Sequence, residues 1–370
     1  MKIDKIIIDH IKMPLVHPFE TSFGRMLEKD FLVIQMYSGE YIGYGESVAL
    51  PDPTYTEETT GTISYMLDQF LIPLLFRHTI NHPDDITTIF APIRRNNMAK
   101  AALEGAVWDL YSKQKGVSLA HALGGSRKEI DVGVSIGIEK SIEDLLGKVE
   151  HFLQEGYKKI KVKIKPDYDI EPLQKIRERF GYNIPLMADA NSAYTLQDTN
   201  KLQKLDPLKL LMIEQPLGFD DIVDHGKLQK QLTTPICLDE SINSSEDARK
   251  AIELGSCQVI NIKIGRVGGL SEAKKIHDLC AENNIPVWCG GMLEGGIGRA
   301  HNIAITSLAN FTIAGDTSAS NRYWHEDIIY PEVVLSKPGT IQVPAAPGIG
   351  YELKEQNVKK YRISRKIYKN

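Results

Sequence analysis

A chain of 370 residues, 42% hydrophobic and 25% charged with a formal net charge of −4, has enough apolar content for a sizeable core and is too long for one ordinary compact domain. Its lysines and arginines are spread along the chain, which argues against nucleic acid or an acidic membrane surface as partner. No run approaches the roughly 20 apolar residues that cross a bilayer.

The opening segment is broken by Asp4, Asp9 and His10, so it does not read as a signal peptide. Cys237, Cys257, Cys280 and Cys289 sit in apolar runs without a CxxC pair and read as reduced thiols of a cytoplasmic protein. Residues 1–127 begin with strand-like alternation at 2–12, 30–37 and 41–47, around a turn at Ser38 and Gly39. Helical patterns follow from Thr56 to about Phe76, near 83–94, and from Met98 to about Gln114, making this first region an α+β unit.

From about Ile130 the rhythm changes to a short β-branched strand followed by a helix. Strands are expected at 130–137, 159–164, 184–191, 210–217, 235–241, 259–265, 286–292 and 311–316. Helix starts are marked by Ser141 with Asp144, Thr195 with Asp198, and Ser244 with Asp247. Eight strands separated by amphipathic helices predict a closed (β/α) barrel over residues 128–319, with a doubly wound open sheet as the alternative. The segment from 320 to 370, rich in proline and with a strand-like stretch from Thr340 to Val343, is expected to pack back on the N-terminal unit.

Five charged residues recur with the strand period: Lys163, Asp189, Glu214, Asp239 and Lys263, at spacings of 26, 25, 25 and 24. Each falls near the C-terminal end of its strand, the face on which barrel active sites are built. Because side chains alternate, Met187, Asp189 and Asn191 share one face, as do Met212 and Glu214, Cys237 and Asp239, and Asn261 and Lys263. The opposite faces carry Leu186 and Ala188, Leu211 and Ile213, Ile236 and Leu238, and Ile260 and Ile262, suited to cover by helices.

Three converging carboxylates repel one another unless a cation neutralises them. An all-oxygen set favours Mg²⁺, with Mn²⁺ as an alternative; zinc is disfavoured because no His or Cys joins the set. Lys159, Lys161, Lys163 and Lys165 share one face of the second strand, which suits a barrel interior better than a solvated sheet edge. A lysine beside a cation and another lysine has its ammonium form disfavoured, which makes it available as a general base.

The strings KIKVKI, MADANSAY (187–194), MIEQP (212–216), CLDES (237–241), NIKIGRVGG (261–269) and CGGMLEGGIGRAHN (289–302) resemble the enolase superfamily, muconate lactonising branch. More narrowly, the chain is similar to the o-succinylbenzoate synthase / N-succinylamino acid racemase family. The resemblance covers essentially the whole sequence. It implies a modified (β/α)7β TIM barrel under an α+β capping domain formed by both termini, Asp189, Glu214 and Asp239 as metal ligands, and Lys163 and Lys263 as the acid/base pair.

A lysine base working on an enediolate beside Mg²⁺ is the known pattern of that superfamily, not something that spacing shows. The resemblance further implies a lyase that dehydrates 2-succinyl-6-hydroxy-2,4-cyclohexadiene-1-carboxylate to o-succinylbenzoate on the route to menaquinone. Alternatively, it implies an isomerase that racemises N-succinylamino acids with two lysines. A homo-oligomer is also implied. Glu240 would stand behind the metal ligands, and Arg266 would tune Lys263.

Substrate contacts are expected from Ser135, Lys161 and Asn191, and from backbone at Gly291, Met292 and Leu293 reaching the succinyl group. Phosphate binding by that glycine-rich turn is the weaker reading, since it does not match a P-loop. Two loops, Val16 to Met26 with Phe19, Phe23 and Arg25, and Val48 to Gly61 with Tyr55, are expected as lids, against the alternative of ordinary surface loops. A barrel kept only as a binding or scaffold protein is the non-enzymatic reading. It predicts that Lys163 or Lys263 can be changed to alanine without loss of function.

Overall fold

The computed structural model describes residues 1–21 and 24–370, so Phe23 of the expected lid lies outside the described residues. The N-terminal region forms a four-stranded antiparallel sheet in the order Arg362–Lys369, Lys5–Thr21, Gly24–Ser38, Tyr41–Glu46. The two central strands are longer than the sequence suggested. The described residues of the stretch expected as a loop between Val16 and Met26 are instead the end of a ribbon, with Phe19 opposite Met26 beyond a register shift after Pro14. The alternation that builds a strand simply continues there: Ile11, Met13 and Leu15 are buried while Lys12 and Pro14 are exposed.

Both faces of this ribbon are covered. Ile6, Ile8, Leu32, Ile34 and Met36 pack with the helices of the cap, whereas Ile11, Met13, Phe31 and Val33 belong to the barrel core. The helix Asn97–Lys115 starts where Glu58 accepts the amides of Met98 and Ala99 at 2.8 and 3.0 Å, and it stops at Gly116 in the left-handed region. It lies so close to the strand Tyr41–Glu46 that a Cβ at Gly43 or Gly45 would fall 2.1 Å from the carbonyl oxygen of Ala106 or Ala102. The helix expected from Thr56 begins at Thr60, after the Thr59 capping box.

Seven parallel strands follow: Val134–Ile136, Ile160–Lys163, Leu186–Asp189, Ile213–Glu214, Ile236–Leu238, Val259–Ile262 and Val287–Cys289, paired in chain order. The eighth position is held by 311–316, which bridges Phe311 to Val287 on one edge and Gly315 to Val132 on the other. That closure settles the barrel against an open sheet. Ser141, Thr195 and Ser244 cap their helices as the sequence indicates.

Leu186, Ala188, Ile213, Ile236, Leu238, Ile260 and Ile262 pack outward in the large core, while Met187, Met212, Cys237, Val259 and Trp288 form a separate apolar floor inside the barrel. Leu211, expected on the covered face, is 41% exposed, because its strand begins only at Ile213.

The segment expected as one strand over 130–137 divides at Gly133, where a Cβ would meet Lys159 at 2.8 Å. Its first part, Glu129–Asp131, pairs antiparallel with Thr340–Gln342, so this late strand sits by the barrel and not on the N-terminal sheet. The chain returns to that sheet further on, where Arg362–Lys369 pairs with the first strand.

Carboxylates of the N-terminal region also start barrel helices. Glu46 accepts from the amides of Gly295 and Gly298 at 2.7 and 2.9 Å, and Glu104 from those of Leu270 and Ser271 at 2.8 and 2.9 Å. At the same junction His301, on the helix Gly296–Thr306, packs so tightly on Gly105 that a Cβ there would meet its ring at 2.9 Å. Burial holds this imidazole down at about 4.

The unfolded chain therefore binds a proton at His301 that the folded chain refuses between about pH 6.5 and 4. Its contribution to stability is intact above about pH 6.5 and is lost as pH falls, by about 3 kcal/mol at the end of the window. Urea unfolding from pH 7 to 4.5 should show a shallower loss of stability in His301→Leu than in the parent; parallel curves would contradict this.

Candidate active site

The charged residues picked out by strand period all end inside the barrel. Lys163 closes the second strand and pairs with Asp189 at the end of the third, which in turn is the register neighbour of Glu214 on the fourth. Asp239 and Lys263 each follow directly on the fifth and sixth strands. The two lysines thus stand on strands two and six of an eight-position barrel, facing walls of one pocket that both line. Lys159, Lys161 and Lys163 are buried in the interior, and only Lys165, beyond the strand end, is exposed.

Each carboxylate leans on a cation of the protein. Lys163 Nζ donates to Asp189 Oδ2 and to Asn191 Oδ1, both at 2.6 Å. Asn191, held in the left-handed region at φ 41°, donates in turn to Glu240 Oε1 at 2.9 Å. Glu214 accepts from Asn261 Nδ2 at 2.6 Å and from Lys161 at 3.3 Å. Asp239 receives Lys263 Nζ at 2.7 Å, the Tyr55 hydroxyl at 3.0 Å and the guanidinium of Arg266, while Lys263 also donates to the Tyr55 oxygen.

Burial would raise the Asp239 carboxyl, but Arg266 and Lys263 outweigh it and hold the group well below the carboxylate range. Glu214 moves the other way: burial, then the nearby Asp189 carboxylate, push it up to about 8. Burial and Asp239 likewise raise Glu240 to about 7.

Every residue expected to contact substrate lines this same pocket: Ser135, Lys161, Asn191, Gly291, Met292 and Leu293. Phe19, Met26, Leu50, Tyr55, Asp316 and Tyr323 complete it, around ≈ 560 Å³ of empty space including the open mouth. The glycine-rich turn has a steric reason at Gly290, where a Cβ would lie 2.4 Å from Asn261 Oδ1 and 2.8 Å from Lys263 Cε. Buried Lys29 ties the turn to the cap, donating to the carbonyls of Met292 and Val48.

Among the expected lid residues, Phe19 and Tyr55 reach the pocket. Arg25 does not: one residue away from Met26 on the strand, it faces the outer groove with His17 and Pro18. Sequence reasoning put Lys159 and Asn261 on inward strand faces without giving them a role, and passed over Asp316, Gln215 and Trp288. Gln215 takes the Asp239 amide on its side-chain oxygen at 2.9 Å and donates to Ser241 at 2.6 Å, fixing the backbone of the Asp239 turn.

A closed barrel under an α+β cap, with a lysine on either wall of one pocket and a buried carboxylate against each, places the protein among the capped (β/α)7β-barrel enzymes. Residues 144–357 match the enolase C-terminal domain-like family, and residues 3–124 match the mandelate racemase / muconate lactonizing enzyme N-terminal domain. The chain belongs to the enolase superfamily. It is 57% identical to an o-succinylbenzoate synthase of Geobacillus kaustophilus, covering 100% of this chain and 98% of that protein. It is 46% identical to an N-succinylamino acid racemase of Thermus thermophilus, covering 96% and 95%. A crystal structure of an enolase-superfamily member from Listeria innocua, 46% identical, superposes with a TM-score of 0.96 over 100% of this chain and 99% of the other.

The chain is thus an enzyme of a superfamily whose members bind a divalent metal and act on small molecules. No helix among the described residues is long and apolar enough to cross a membrane. Nor, among them, do three His, Cys, Asp or Glu side chains stand close enough together to hold a metal ion as they are placed, since the protein's own ammonium and guanidinium groups lie against Asp189, Glu214 and Asp239. The donor set nonetheless fits a hard divalent cation in kind: three buried carboxylates on consecutive strands, with Glu214 pushed towards protonation by burial and by Asp189.

Proposed function

We propose that the chain is an o-succinylbenzoate synthase, dehydrating 2-succinyl-6-hydroxy-2,4-cyclohexadiene-1-carboxylate to 2-succinylbenzoate, a lyase reaction of menaquinone biosynthesis. The observation that carries the reading is the pair Lys163 and Lys263 on opposite walls of one pocket, each within 2.7 Å of a buried carboxylate. The 57% identity to a relative of that name supports it. A division into residues 1–127 and 320–370 as cap and 128–319 as barrel belongs to the same reading, with Thr340–Gln342 of the last part lying against the barrel.

Asp189, Glu214 and Asp239 would hold the cation, Mg²⁺ by preference for oxygen ligands. When bound, it supplies positive charge for the substrate carboxylate as the adjacent carbon loses its proton. The rest falls to the chain. The lysine on the reacting face takes the α-proton onto Nζ and returns a proton to the departing hydroxyl, so that water leaves and the ring becomes aromatic. The lysine on the other wall stays an ammonium against the opposite face.

Lys161, Ser135 and Asn191 orient the carboxylate end. Gly291, Met292 and Leu293 cover the succinyl tail, and Phe19 and Tyr55 keep water from the mouth. Glu240 steadies Asn191 and hence Lys163.

A second reading, racemisation of N-succinylamino acids, is favoured by the same two-walled placement, since an α-proton can leave towards one lysine and return from the other. Arg266, paired with the Asp239 that also holds Lys263, would tune the second base. The test assays both reactions on one preparation. Loss of the cyclohexadiene absorbance is expected under the first reading. No dehydration, together with rapid α-deuterium exchange of N-succinylamino acids in D2O, would reverse the order.

A further inference from the structure

Two ammonium groups meet one carboxylate in the pocket wall, and the reaction proposed above uses neither that carboxylate nor the lower ammonium. Asp316 ends the segment that closes the barrel. Its Oδ2 lies 2.6 Å from Lys161 Nζ and accepts the Ser135 hydroxyl at 3.2 Å. Its Oδ1 lies 3.2 Å from the Nζ of Lys159, a side chain with 1% exposure. Lys159 in turn sits 3.3 Å above the centre of the Trp288 ring, the apolar floor of the barrel.

Lys161 is shared. The same Nζ stands 3.4 Å from Asp189 and 3.3 Å from Glu214. These are two of the three carboxylates assigned to the cation, and a divalent ion and an ammonium repel each other strongly at such range in a buried site. When an ion takes those oxygens, the ammonium needs another anion within reach, and among the described residues Asp316 is the third carboxylate ion-paired to it.

We propose that Asp316 is a positioning residue that holds Lys161 on the substrate side of the pocket and so leaves Asp189 and Glu214 to the divalent cation, with Lys159 over Trp288 neutralising its second oxygen. This rests on the reading of Asp189, Glu214 and Asp239 as the cation's ligands. It gives the closing segment a role in the site, and it explains a wholly buried lysine with no place in the reaction. Burial pushes Lys159 down, so its retention there calls for a partner such as Asp316.

The test is a titration of the full chain with Mn²⁺ alone, followed by the electron paramagnetic resonance signal of the free ion. Asp316→Asn should bind Mn²⁺ at least fivefold more weakly than the parent, because Lys161 then stays on Asp189 and Glu214. Adding Lys161→Met to that variant should tighten binding again by at least fivefold, a rescue that a merely structural aspartate would not give.

Asp316→Asn leaves two buried ammonium groups facing an amide and can fail to fold. Lys159→Met with Asp316→Asn keeps the charge balance and should show the same weak binding, with circular dichroism reporting the fold. Less than a fivefold change in either folded variant, or no rescue by Lys161→Met, overturns the proposal. Glu214→Gln separates the two layers. If it binds Mn²⁺ as the parent does, the cation site itself is misassigned; if it loses the ion while Asp316→Asn keeps it, only the role of Asp316 falls.

Discussion

Alanine in place of Lys163 or of Lys263 should lower kcat/KM for dehydration by about 10²–10⁴, the range that a positioned general acid or base contributes. The fold should survive both changes. Without Lys163, Asp189 keeps Lys161 at 3.4 Å and the Asn191 amide at 3.1 Å; without Lys263, Asp239 keeps Arg266 and Tyr55. Melting temperatures close to the parent's would therefore accompany the loss of rate. If racemisation is also catalysed, each variant should lose it while still exchanging the α-proton of the one enantiomer that faces its remaining lysine, opposite enantiomers for the two variants. A variant of either lysine with parental kinetics would remove the chemistry and leave the scaffold reading standing.

Asp239→Asn should be costly twice. Asp239 is fully buried and accepts from Lys263, Tyr55 and Arg266, and the guanidinium of Arg266 is itself 2% exposed. Neutralising the acid strands that guanidinium, at about 3–5 kcal/mol for a broken buried pair. The same change removes one of three oxygen donors from the proposed cation site. The measurements are a urea midpoint and a divalent-ion activation curve. A large fall in stability with activity that no excess of Mg²⁺ restores is expected. Stability and activation both at the parental level would contradict the reading of Asp239.

Much of this site was legible because a barrel imposes a period on its strands and alternation imposes a face. Residues 24 to 26 apart, each at the end of its strand, had to fall on one rim, and the floor of Met187, Met212 and Cys237 beneath them confirms the facing. The helix caps at Ser141, Thr195 and Ser244 were legible for a local reason, since a hydroxyl three residues before an acid makes the cap by itself.

What escaped depends on contacts distant in sequence. Asp316 lies 53 residues after Lys263, two strand periods, so its phase was available; its partners Lys159, Lys161 and Ser135 are about 155 to 181 positions away and were not. At the break, Gly133 leaves the room that Lys159, 26 residues on, takes up, and the late strand at Thr340 finds Glu129–Asp131 across the whole barrel. Arg25 was misplaced because the expected loop is a strand, on which neighbouring residues face opposite ways.

Anomalous diffraction from crystals grown with Mn²⁺ addresses the central geometry most directly. The account predicts one strong peak with an oxygen of each of Asp189, Glu214 and Asp239 at bonding distance, on the order of 2.0–2.5 Å for such hard cations, with Lys163 and Lys263 on either side of the open positions. A peak elsewhere, or one that takes fewer than these three carboxylates, would contradict it.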